Sequence, residues 1–154
     1  MAGDSLTELA QSSPKNTAVW AFYAPDLRAA LAIAQGEPMG ALAAMEGAPW
    51  FEEVSLTPYL RGVAEAALHQ PALAAAQFQV VLAHRGAAVL GRSTVYPMAQ
   101  IGLARALAET GDTAGSAAAY DRFLELWKDA DADAEPAAAL LQEARQRRAS
   151  RGTA

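Results

Sequence analysis

Three short breaks interrupt a chain that otherwise reads as alanine-rich helix, and they limit what it can fold into. They are Gln35-Gly36-Glu37-Pro38, His69-Gln70-Pro71 and Thr110-Gly111-Asp112. A connection this short forces the helices on either side to fold back on one another as a hairpin. Alanine, the strongest helix former, makes up roughly a quarter of the 154 residues, and β-branched residues are sparse. The segments between the breaks therefore read as helices, and the expected class is all-α in one domain.

The breaks also set a register. Five positions after each of Gly36, His69 and Gly111 stands a small residue: Ala41, Ala74 and Ser116. Nine positions after stands a bulky one: Met45, Phe78 and Tyr120. Three further on come Ala48, Val81 and Phe123. A small residue lets two helices approach, and the bulky one fills the hole between one hairpin and the next. That order suits stacked hairpins, which bury their apolar faces against neighbours. The interval from His69 to Gly111 is longer than that from Gly36 to His69, and a long loop from Arg85 to Val95 is expected to hold the difference.

Periodicity and punctuation place the elements. Trp20, Tyr23, Leu27, Leu31 and Ala34 recur at helical spacing, with Pro25 predicting either a kink or a start near Ala24. Pro38 opens a helix with Met39, Leu42 and Met45 on its face. Thr57-Pro58 are expected as cap and first residue of a helix to about His69. Pro71 opens its partner, which carries Leu73, Phe78, Val81 and Leu82. Tyr96 to Thr110 is helical, and Asp112 or Thr113 caps a helix to Trp127. Glu135-Pro136 opens a last helix with Leu140, Leu141 and Ala144 as its apolar face. Residues 1–16 read as an extension or short helix, 17–148 as the helical domain and 149–154 as a tail.

The segments "RGVAEAALHQPALAAAQFQVVLAHRG" and "LARALAETGDTAGSAAAYDRFLEL" resemble tetratricopeptide repeats, and "DLRAALAIAQGEPMGALAAM" is a fainter copy. The repeats are degenerate: the family's first-helix tryptophan and terminal proline are absent from them. From about residue 16 to 145 the chain also looks like the C-terminal repeat region of multidomain bacterial serine/threonine kinases and winged-helix transcriptional regulators. The resemblance implies a right-handed stack of about three hairpins with a C-terminal capping helix. It also implies a non-catalytic docking or sensing module that takes a protein or peptide partner on its concave face. First helices line that face in such stacks, which makes Tyr23, Asp26, Arg28, Tyr59, Arg61, Val63, Met98 and Arg105 the groove candidates. The lysines and asparagines of the family's carboxylate clamp do not occur on first helices between Ala24 and Thr110, so chaperone-tail binding of that kind is not expected.

Other readings weigh less. A net charge of −5 and a pI near 5.0 disfavour nucleic acid as a partner of this domain. Cysteine is absent, which removes disulfides and thiolate chemistry. No apolar run approaches the roughly 18 residues of a membrane span. His69 and His84 both fall at helix ends, where capping of carbonyls is the simpler role than catalysis. "DADADAE" matches three acidic positions of a calcium loop but has Ala134 and Leu140 where glycine and glutamate are needed, so it reads as a linker. "RQRRASR" could meet an acidic partner or a phosphate, although basic residues at a helix C-terminus also serve the dipole. No cofactor, metal or enzymatic activity is expected, and the compartment expected is the cytoplasm, or outside it if a membrane span preceded this region. Two alternatives stand: a small-molecule sensor closed by Trp20, Trp50 and Phe51, and a self-association module giving a homo-oligomer.

Overall fold

The computed structural model describes residues 24–47, 56–84, 94–129 and 137–150, together with Glu8 and Ser12. Tyr23, Trp20, Trp50, Phe51, Ala48 and most of "DADADAE" lie outside the described residues, as do the start and the extreme tail. Among the described residues the chain is all-helical, with seven helices and no strand. They are α1 (Ala24–Ala34), α2 (Pro38–Ala44), α3 (Leu56–Ala67), α4 (Pro71–Ala83), α5 (Val95–Glu109), α6 (Thr113–Leu126) and α7 (Ala137–Ala149). Pro25 is the second residue of α1 and lies in its first turn, where a missing N–H costs nothing.

The helices pair as α1·α2, α3·α4 and α5·α6, and each pair is closed in the same way. Gly36, His69 and Gly111 all have positive φ, at 76°, 55° and 84°. The next backbone N–H reaches back five residues in each case: Glu37 to Ala32 at 2.8 Å, Gln70 to Glu65 at 2.9 Å and Asp112 to Leu107 at 2.9 Å. The left-handed residue itself donates to the carbonyl three before it, at 3.0, 3.0 and 3.1 Å. This paired closure satisfies carbonyls that a helix end otherwise leaves open. Asp112 then caps α6 by accepting from the Gly115 N–H at 2.8 Å, whereas α2 and α4 begin with proline in the first turn.

His69 is the exception in residue type. A non-glycine residue in the left-handed region costs about 1 kcal/mol. His69→Gly is therefore expected to raise the unfolding free energy by up to about 1 kcal/mol, read by urea denaturation, because the added freedom of the unfolded chain offsets part of the relief. The other histidine follows the capping expectation: the His84 Nδ1–H donates to the Val80 carbonyl at 2.9 Å.

The small and bulky positions after each turn are all buried: Ala41, Ala74 and Ser116, then Met45, Phe78 and Tyr120. Val81 and Phe123 join them. Beyond each hairpin, α2 and α1 touch α3, α4 and α3 touch α5, and α6 touches α7. Phe78 sits between first helices of adjoining hairpins. Its ring lies so close to Gly62 on α3 and Gly102 on α5 that a Cβ there would stand 2.8 Å and 2.6 Å away. Two buried clusters result, one from α1 to α3 and one from α4 to α7, and Tyr59 packs against both.

Several expectations from periodicity are corrected. On α1 the buried residues are Ala24, Ala29 and Ala32, whereas Leu27 is half exposed and Ala34 is exposed. Met39 (65% exposed) and Leu73 (53%) point outward. The helices approach through alanine, and close approach excludes the longer side chains from the contact line. Thr57 does not cap α3, which starts one residue earlier; its hydroxyl donates to Asp26 Oδ1 at 2.8 Å across to α1. The longer interval between the second and third turns lies largely in helix, since α4 has 13 residues where α2 has 7.

Candidate functional site

Four of the eight groove candidates converge on one cleft. Tyr59 and Val63 project from α3 four residues apart, so they share a face; Met98 and Arg105 project from α5 seven apart, again on one face. Phe78 of α4 and the bare backbone of Gly102 are also in the walls of this cleft of 170 Å³. The Tyr59 and Phe78 rings meet at 6.1 Å and 54°, a tilted contact that fixes both. Burial pushes the Tyr59 hydroxyl up from its ordinary value, with the Arg105 charge opposing. The site is thus an apolar recess with a phenol, a guanidinium and the Glu109 carboxylate among its lining groups.

Arg105 is not a loose cation. Its Nε donates to Glu143 Oε1 at 2.9 Å and its Nη2 to Oε2, a fork that reaches 38 residues along the chain to α7. The Tyr120 hydroxyl donates to the same Glu143 Oε1 at 2.8 Å. One carboxylate therefore ties α5, α6 and α7 together. The Arg105 hydrogen bond, with Tyr120 and nearby positive charge adding, holds Glu143 below its ordinary value against partial burial. Tyr120 is pushed up to about 12, by burial first and then by its bond to that carboxylate. The spacing of acids and bases in the sequence carries no sign of this link, because α7 is remote from α5 along the chain.

Glu143 is depressed, so its contribution is full above its unfolded value near 4.5 and is lost as pH falls through the lower folded value. Asp26 and Glu65 are raised by burial and act in the opposite sense: what they contribute is present at low pH and lost as pH rises. Comparison of wild type with Glu143→Gln isolates the first effect. The variant should lose about 1 kcal/mol at pH 7, a charged hydrogen bond discounted for solvent exposure. That gap should close as pH falls below about 4.5 in denaturant titrations at successive pH values; a gap constant with pH would count against the clamp.

The remaining candidates are placed elsewhere. Arg61 donates to the Met45 carbonyl at 2.8 Å, capping α2 from α3, and Asp26 is held by Thr57; both serve contacts between the first hairpin and α3. Arg28 is exposed on α1, and Tyr23 lies outside the described residues. Glu65 Oε2 and Gln100 Nε2 are buried without a hydrogen-bond partner, but neither residue lines the cleft. Among the described residues no group of three or more His, Asp or Glu side chains could hold a metal ion. Among them also, no helix is long and apolar enough to cross a membrane. Gly102, Ile101 and Glu109 of the lining, and Glu143 bound to Arg105, are among the site residues that sequence reasoning missed. Comparisons with protein-family models, curated proteins and solved structures return no match to this chain.

Proposed function

We propose that the chain is a non-catalytic, tetratricopeptide-like interaction module: a right-handed stack of three degenerate hairpins closed by α7, binding a protein or peptide partner on its concave face. It serves as the docking or sensing end of a bacterial signalling protein. The observation that carries the reading is the convergence of Tyr59, Val63, Met98 and Arg105 on one recess between consecutive hairpins. Three identically closed turns support the repeat itself.

The size of the recess favours a peptide over a metabolite. At 170 Å³ it is well below the roughly 300–1,000 Å³ of small-molecule sites, and it suits one apolar side chain of a partner. Flanking contacts to Tyr59 and Arg105 would fix the peptide's direction.

Site-specific photo-crosslinking in the native host tests this. A photoreactive residue at Val63 should capture a discrete polypeptide, and the same residue at exposed Met39 should not. Equal labelling from both positions, or none from Val63 with the protein well expressed, would count against the module.

A further inference from the structure

A second groove lies at the other end of the chain, between α6 and α7. The two helices pack together: Arg148 near the end of α7 approaches Asp121 of α6 at 3.5 Å, and Leu141 near the start of α7 lines the groove with Trp127 at the end of α6. The floor is apolar, from the partly buried Leu124 and Trp127, with Leu141 buried behind them. The edge is basic, from Lys128, Arg145 and Arg148. The open volume is 610 Å³, against 170 Å³ for the cleft.

We propose that this groove binds a short acidic peptide segment that carries an apolar side chain. Three cations around an apolar floor, on a chain of net charge −5, give local charge complementarity to an acidic ligand where the chain as a whole would repel it. The cations are available at small cost. The Lys128–Glu125 and Arg148–Asp121 pairs are exposed on the surface, and pairs of that kind contribute little. Arg145 is exposed on the same face of α7, one turn from Leu141.

The shape separates a peptide from a single ion. Leu141, Arg145, Arg148 and Ala149 form one stripe along α7 at helical spacing, which spans about 12 Å. A phosphate needs donors converging on a point, and these charges are spread along an edge beside an indole and two leucines. An extended segment of three or four residues covers that length, with alternate side chains meeting the floor and the cations. The groove and the α3–α4–α5 cleft have no lining residue in common, so this inference stands apart from the function proposed above.

Fluorescence anisotropy on the full chain provides the test. The probe is a labelled eight-residue peptide of alternating glutamate and leucine, with a lysine-leucine peptide, inorganic phosphate and phosphatidylglycerol vesicles as competitors. The acidic peptide should bind, weaken with salt, and lose at least fivefold in affinity with Arg145→Ala. Arg122→Ala makes the same charge change on α6 outside the groove and should leave binding unchanged. Circular dichroism confirms that both variants keep their helicity. Equal losses from both variants, equal binding of the lysine peptide, or displacement by phosphate or vesicles as effectively as by unlabelled peptide would each overturn the proposal.

Discussion

Phe78→Ala is expected to lower the unfolding free energy by about 3–5 kcal/mol, the range for removing a buried aromatic ring. Phe78 is 2% exposed, and its ring is gripped by α3 on one side and α5 on the other. The cavity left would lie between two hairpins, where collapse needs both first helices to move. Leu73 stands one and a half turns earlier on the same helix and is 53% exposed, so Leu73→Ala should cost under 0.5 kcal/mol. Urea denaturation of the two variants separates them, and a similar cost for both would contradict the role given to Phe78. The ring also floors the cleft, so the Phe78 variant should lose partner binding even under conditions where it stays folded.

The second large effect comes from adding one carbon. A Cβ on Gly102 would stand 2.6 Å from the Phe78 ring, closer than side-chain atoms tolerate. Gly102→Ala should therefore cost about 1–3 kcal/mol through overpacking, despite alanine's better helix propensity. Because the cost is a collision with one named ring, it should shrink when that ring is replaced. The double variant Gly102→Ala with Phe78→Leu should be more stable than the sum of the single changes allows, with a coupling of about 0.5–3 kcal/mol. Strict additivity in the same denaturation series would show that the two positions do not meet.

Much of the hairpin register was legible in the sequence. The turn residues announce themselves by type, and the small and bulky positions follow at fixed distances from them; local geometry decides both. Even His69, which is not a glycine, is locatable as a turn residue because its neighbours Gln70 and Pro71 mark the same turn. The buried stripe on α1 and α2 is not legible, since Leu27 and Met39 read as core residues by spacing yet are exposed. In an alanine-rich chain the contact line runs through alanines, and hydrophobicity alone then misassigns the larger side chains. Long-range polar links were the other blind spot. Thr57 reads as a helix cap until Asp26 is placed beside it, and Arg105 reads as a free groove cation until Glu143 takes it. Gly102 escaped because it does not share Gly62's register within the repeat, so no alignment of the hairpins would find it. The cleft was half legible: spacing put its side chains on first helices but could not say that Asp26 and Arg61 turn away from it.

The second arms of the hairpins lengthen along the chain, from 7 residues in α2 to 13 in α4 and 14 in α6. That taper gives folding a direction. A seven-residue helix cannot repay the cost of its own nucleation in water, whereas the hairpin of α5 and α6, whose arms have 15 and 14 residues, is the best placed to form early. Once formed, it would present a surface onto which α4 and then α3 could pack, with α2 expected to condense last. The hairpins are therefore expected to assemble against the order of synthesis, read by pulsed hydrogen exchange that protects α5 and α6 before α2. A ribosome-bound chain carrying the first hairpin alone would hold it as unformed helix until the third emerges.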